Sequence, residues 1–288
     1  MYMKEIKVGI LSIIKNEHQY LDEWLQYHTR LVDKIYLFED VGSLSHSDIC
    51  SKYSNVILKS ILSLYDNENV DKIIKDKKNH TAAAGFQISF MKQCLNYIKV
   101  NDTLDWVTYI DVDEFLTLEN EEDSIQSIMK EYEEYKLVVL QWMNFNASGN
   151  IRATNLPVLE SYHTRCKLFT GQSMSPIASS KIIFNMSTSN FVRCNHHIPF
   201  FKDGWCKTDF SRDLKTPIYK KLYIRHYITK SFEEYCKKIF LRGQFFGSKG
   251  LNHFFEFNPD ISRNNKEVKE IIETYYNMFM NGDLNFYL

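Results

Sequence analysis

Asp111, Asp113 and Glu114 place three carboxylates within four residues, directly after the β-branched and aromatic run 106–110. Carboxylates this close repel one another, and each is costly to take out of water. A hard divalent cation relieves both costs, because carboxylate oxygens suit Mg or Mn. An acidic, solvated turn is the other reading of the same residues. Two more polar clusters follow apolar runs in the same manner. Lys15, Asn16 and Glu17 come after the run 6–14, and Glu39, Asp40, Val41, Gly42 and Ser43 come after the run 35–38.

These clusters need elements to hold them. The unbroken apolar run 6–14 suits a strand buried on both faces. Tyr20, Leu21, Trp24, Leu25, His28 and Leu31 then fall on one face of a helix, with Asn16 as its expected N-cap. Strands are expected at 35–38 and 56–58, a polar surface loop at 66–80, and a helix at 81–97 that carries Gln87. The alternation predicts an α/β sheet whose opening strands share a direction. Ligands of such sheets bind beyond the carboxyl ends of the strands, where all three polar clusters would meet.

Further along, 119–135 reads as a solvated helix and 137–142 as a strand. Residues 151–216 are loop-rich, with short strands at 180–184 and 191–194. A last strand at 219–227 precedes helices at 231–246 and about 265–280. No repeat, low-complexity tract or linker interrupts the chain, which reads as one domain.

Composition narrows the function. A net charge of −1 gives no global basic field, so nucleic acid is not an expected partner. The N-terminus lacks the pattern of a signal peptide, and no apolar run reaches the eighteen residues of a membrane span. The six cysteines form no C-x-x-C pair and are expected to be free thiols in the cytoplasm. Cys194, His196 and His197 match no standard zinc spacing.

Three motifs carry a resemblance. Residues 13–28 read I-I-K-N-E-H-Q-Y-L-D-E-W-L-Q-Y-H, residues 111–115 read D-V-D-E-F, and residues 225–235 read R-H-Y-I-T-K-S-F-E-E-Y. Together they resemble GT-A glycosyltransferases, most closely a family-2-like group related to glycosyltransferase family 92, over roughly residues 6–245. The resemblance implies a GT-A fold: a single Rossmann-like mixed sheet flanked by helices at 1–245, with a C-terminal helical extension at 246–288 packed on the same domain. Asp40 would bind the base and ribose of a UDP-sugar, with Asn16, Glu17, His80, Gln87 and Lys230 as further donor contacts. Asp111 would contact ribose or metal, Asp113 would ligate Mn or Mg, and His226 would complete the metal site.

Chemistry supports those residue types, since a metal stabilises the diphosphate that leaves when a sugar is transferred. An inverting transferase also needs a base near the acceptor hydroxyl. Glu114, His197 and Asp203 are candidates, while His196 and Trp142 are candidates to line the acceptor site. The implied enzyme moves a hexose, with UDP-galactose the leading donor, to a glycan or lipid-linked acceptor in surface polysaccharide synthesis. It would be cytoplasmic, with peripheral contact at the inner face of the membrane. Two alternatives stay open at this point. One is a phosphohydrolase of the haloacid dehalogenase type, although Phe115 stands where that family carries Thr or Val. The other is a non-catalytic sugar-binding protein.

Overall fold

Hydrophobic continuity gives the parallel core that the sequence predicts. The computed structural model describes residues 5–66, 69–71, 73–74, 83–135, 137–166, 180–187, 191–194, 199–201, 221–241 and 250–281, and only the backbone of 83–89, 191–194, 199–201 and 241. By its internal contacts the chain divides into two units, Met1–Trp142 with Ser173–Ile224, and Met143–Gln172 with Arg225–Leu288.

In the first unit β1 (Val8–Ile14) pairs in parallel with β2 (Lys34–Glu39) and with β4 (Trp106–Tyr109), and β2 pairs in parallel with β3 (Val56–Ser60). β7 (Ser180–Asn185) runs antiparallel to both β4 and β6 (Leu137–Asn144), so the sheet is mixed. With β5 (Glu114–Leu118) and β10 (Leu222–His226) the order is β3-β2-β1-β4-β7-β6-β10-β5. The hairpin of β8 (Phe191–Cys194) and β9 (Pro199–Phe201) forms a separate two-stranded sheet. The chain leaves β1 toward β2 on one side and β4 lies on the other. That reversal is the switch point where α/β sheets open a crevice at their carboxyl edge.

Helices cover the faces. α1 (His18–His28) buries Leu21, Trp24, Leu25 and His28, the spacing of a single stripe. The one-turn helix α2 (Ser47–Cys50) follows β2. α3 (Ala83–Asn101) buries Phe90, Met91, Cys94, Leu95 and Ile98 in a cluster with Leu11, Tyr36, Phe38, Val107 and Tyr109. Burial of each large apolar side chain is worth about 1.5–3 kcal/mol, more than the propensity differences of about 0.7 kcal/mol between ordinary helical residues. Packing therefore decides where this helix lies. A Cβ at Gly9 would sit 2.4 Å from Leu104 Cδ1 and 3.3 Å from the Lys34 carbonyl oxygen, so a larger residue there would require the Leu104 side chain to move.

Several expectations are corrected. Asn16 does not cap α1: the N-cap is Glu17, without a side-chain cap bond, and Asn16 has a left-handed backbone with φ of 56°. The expected loop 66–80 contains helical backbone at Asn69, Val70, Asp71, Ile73 and Ile74, and Ile73 packs against the core. The helix expected at 119–135 shortens to α4 (Ile125–Lys130), because Ser124 and Ser127 form a capping box that starts it late.

The second unit has its own core. Residues 144–166 enclose the one-turn helix α5 (Val158–Ser161) and pack with α6 (Phe232–Leu241), α7 (Leu251–Phe257) and α8 (Lys266–Met280). Ala147, Phe232, Cys236, Ile239, Phe240, Phe254, Val268 and Ile271 are among its buried residues. Asn258 ties the layers: its Oδ1 accepts from the Ala147 N–H at 2.6 Å, and its Nδ2 donates to the Phe254 carbonyl at 2.7 Å. α7 was not expected from the sequence. Among the aromatic residues of these helices, Phe240, Phe254 and Phe257 are buried.

Candidate active site

The carboxyl ends of β1, β2 and β4 bring the predicted clusters onto one edge. Register aligns Ile14 with Glu39 and Leu11 with Tyr109, the Asp40 N–H donates to the Ile14 carbonyl at 2.8 Å, and the Ile110 N–H donates to the Leu11 carbonyl at 3.2 Å. Asn16, Glu17, Asp40 and the acidic turn 111–114 therefore leave the sheet side by side.

The first two clusters are sewn together. Asn16 Oδ1 accepts from the Leu44 N–H at 2.8 Å, and the Asn16 N–H donates to Ser43 Oγ at 3.2 Å. His46 Nε2 accepts the Glu17 N–H at 3.0 Å, so the ring proton sits on Nδ1 and faces Glu39 Oε1, also at 3.0 Å. Burial holds the His46 ring below the usual histidine range, against the pull of Glu39. His18 stacks on it with ring centroids 4.0 Å apart. Asp40 lies in this latched loop, its Oδ1 accepting from the Val41 N–H.

The acidic turn is built around a lysine that sequence reasoning missed. Lys181, on β7, is 1% exposed; its Nζ donates to Asp111 Oδ2 at 2.7 Å and lies 3.1 Å from Glu114 Oε2. The ammonium also sits over the Tyr109 ring, 4.7 Å from its centroid, and the Tyr109 hydroxyl donates to Asp111 Oδ1 at 3.0 Å. Glu114 Oε2 accepts the Asp111 N–H at 3.0 Å. Its only sequence signal was a charged residue near the start of an apolar strand.

Charge follows this geometry. Burial would raise Asp111, but the Lys181 charge and the bonds from Lys181 and Tyr109 outweigh that and the repulsion of Asp113, and its carboxyl is held below the ordinary range. Burial pushes Glu114 up to about 8, opposed by Lys181 and aided by Asp111 and Asp113. Burial works against the Lys181 ammonium, yet the two carboxylates win and hold it charged.

Asp111 keeps 39% of its side chain exposed and Asp113 is partly exposed, whereas Glu114 is fully buried. Among the described residues no three His, Cys, Asp or Glu side chains group closely enough to cage a metal. Asp111 and Asp113 are the residues of the turn that could hold a cation, of the kind that keeps most of its waters and takes one or two protein carboxylates.

Trp142 is partly exposed on β6, and Gln87 lies on α3 where only the backbone is described. His80, His196, His197 and Asp203 lie outside the described residues. His226 and Lys230 belong to the second unit: His226 is 7% exposed with Nδ1 3.0 Å from Asn144 Oδ1, and Lys230 has a left-handed backbone with φ of 50°.

A mixed α/β sheet with acidic and polar clusters at its switch point is an arrangement in which α/β proteins bind ligands. Residues 11–275 match the profile of glycosyltransferase family 92, and the chain belongs to that family. It is a glycosyltransferase, and the activity implies a nucleotide-sugar donor and an acceptor. The phosphohydrolase and the non-catalytic alternatives fall away with that match. No curated protein matches the sequence. Among the described residues no helix is long and apolar enough to cross a membrane.

Proposed function

We propose that the chain is a GT-A enzyme that moves a hexose from a UDP-sugar, with UDP-galactose the leading candidate, to a glycan or lipid-linked acceptor with inversion. The observation that carries the reading is the convergence of Asn16, Glu17, Asp40 and the turn 111–114 on the carboxyl edge of β1, β2 and β4. In this reading Asp40 meets the base and ribose, and Asp113 with the exposed edge of Asp111 holds Mn or Mg. The cation supplies positive charge to the diphosphate as it leaves. Asp111, anchored from behind by Lys181 and Tyr109, presents its outer oxygen edge to the ribose or to the cation's shell. Glu114, buried under the turn, braces the Asp111 backbone through its N–H, which leaves the acceptor's proton to a group nearer the sugar. Acceptors of surface polysaccharide synthesis suit such an enzyme, at the cytoplasmic face of a membrane.

UDP release from a panel of UDP-sugars, with Mn, with Mg and with chelator, tests this. Slow hydrolysis of one sugar nucleotide that needs metal and is lost in Asp113→Ala and Asp40→Ala is the expected outcome. Turnover that persists in chelator, or in Asp113→Ala, would remove the metal role; turnover of none of the panel would remove the UDP-sugar donor.

A further inference from the structure

We propose that Lys181 is a positioning residue for Asp111, fixing from a distant strand the carboxylate through which the donor is bound. The inference rests on the donor reading given above. Asp111 receives one donor on each oxygen, Lys181 Nζ on Oδ2 at 2.7 Å and the Tyr109 hydroxyl on Oδ1 at 3.0 Å. Two anchors on two oxygens fix both the plane and the tilt of a carboxylate, where a single anchor would leave it free to swing. The side chain nonetheless stays 39% exposed, so its outer lone pairs face solvent and any ligand at the sheet edge.

Nothing in the strand itself calls for a lysine. Lys181 pairs across the sheet with Leu140, and Ile182, Ile183 and Phe184 continue β7 as a buried apolar strand. Burying an ammonium costs several kcal/mol unless partners compensate, and a leucine would fill β7 without that cost. What the lysine adds is its reach to Asp111 and Glu114. Glu114 completes the device by accepting the Asp111 N–H, so backbone and side chain of Asp111 are held by the same buried Lys181–Glu114 pair. Positioning to within about half an ångström is what binding and catalytic groups require of their supports.

The test changes Lys181 and Glu114 together, because removing Lys181 alone would leave the buried Glu114 carboxyl without the ammonium it faces. Gln at 114 keeps an oxygen for the Asp111 N–H, and a buried pair tolerates replacement of both partners better than loss of one. UDP affinity is measured by calorimetry, with and without Mn, for the wild type, Lys181→Met/Glu114→Gln, Asp111→Asn and the triple variant. The double variant is expected to bind UDP at least tenfold more weakly while its melting temperature stays near that of the wild type. On the Asp111→Asn background the same double change is expected to cost less than twofold, since a residue that acts through Asp111 has nothing left to position. A general structural defect would instead add its full loss on both backgrounds.

Wild-type affinity in the double variant, or full additivity in the triple, overturns the inference and leaves the donor reading standing. A wild-type protein that binds UDP under neither condition overturns the donor reading, and the inference falls with it. Should the Met variant melt early, Lys181→Gln/Glu114→Gln keeps a hydrogen-bonding side chain in place and is judged by the same two comparisons.

Discussion

The Trp24 indole N–H donates to the Glu114 carbonyl oxygen at 2.8 Å, across ninety positions of sequence. That bond ties the first helix to the strand that leaves the acidic turn. Trp24 and Glu114 are both fully buried. Trp24→Phe keeps most of the apolar packing but loses this bond, at a cost of about 0.5–1.5 kcal/mol. Chemical denaturation is expected to show a midpoint shift of that size with an unchanged slope. A shift under about 0.5 kcal/mol would mean that the bond is not holding the turn.

His28 makes the second tie, one helical turn on. Its Nε2 accepts the Leu116 N–H at 3.0 Å, so Nδ1 carries the proton and donates to the Trp24 carbonyl at 2.8 Å. Burial lowers this imidazole from 6.5 to about 3, with the Trp24 bond opposing. The unfolded chain thus takes up the proton first, and stability from this site is fully present above pH 6.5 and drains as pH falls toward 3. Each unit inside that window costs up to about 1.4 kcal/mol. His28→Gln is expected to be less stable at pH 7.5 yet to lose stability more slowly between pH 6 and pH 4. Parallel pH profiles for the two proteins would exclude His28 as the source.

How far the sequence revealed this site depends on distance along the chain. β1, α1, β2 and the acidic turn were legible because each is a local pattern: an unbroken apolar run, a helical stripe, carboxylates after a strand. The ties between them were not. Trp24 and His28 read only as core residues of a helix, and nothing local says that their polar atoms reach Glu114 and Leu116. Lys181 lies seventy residues from Asp111, and no local pattern pairs the two. Asn16 was misread as a cap for a physical reason: Asn favours both N-caps and left-handed backbone, and only the loop Ser43–His46 folding back decides between them. α7 was missed because Leu251–Phe257 spans only seven residues, too few for a helical period to show.

Asn16 offers a way to separate structure from donor contact. Its backbone is left-handed, its N–H goes to Ser43 Oγ, and its Oδ1 takes the Leu44 N–H. A left-handed conformation costs a non-glycine residue about 1–2 kcal/mol, which Asn tolerates better than Ala. Asn16→Ala loses both the tolerance and the Leu44 bond, whereas Asn16→Gly loses only the bond. The glycine variant is therefore expected to melt above the alanine variant and to keep more of its UDP affinity. Equal loss of affinity in both, at unequal stability, would instead show the Asn16 amide acting on the donor directly.

In the second unit, Ser231 and Glu234 start α6 with a capping box. The Glu234 N–H donates to Ser231 Oγ at 3.2 Å, and the Ser231 N–H donates back to Glu234 Oε2 at 3.1 Å. The Tyr162 hydroxyl donates to the same carboxylate oxygen. Burial is the larger influence, and it pushes Glu234 from 4.5 up to about 7 despite the Ser231 bond and the Lys237 charge. Here the sign is the reverse of that at His28. The folded protein holds the proton more tightly than the unfolded chain, so stability from this site is full below pH 4.5 and drains as pH rises through 7. Glu234→Gln mimics the protonated form and cannot ionise. Relative to the wild type it is expected to gain stability as pH rises from 5 to 8, by about 1 kcal/mol or more, while Ser231→Ala loses about 1 kcal/mol at every pH through the missing cap. Thermal melts of the three proteins across that range decide the matter: a Glu234→Gln curve that stays parallel to the wild type would place the Glu234 charge in contact with water, outside the buried box.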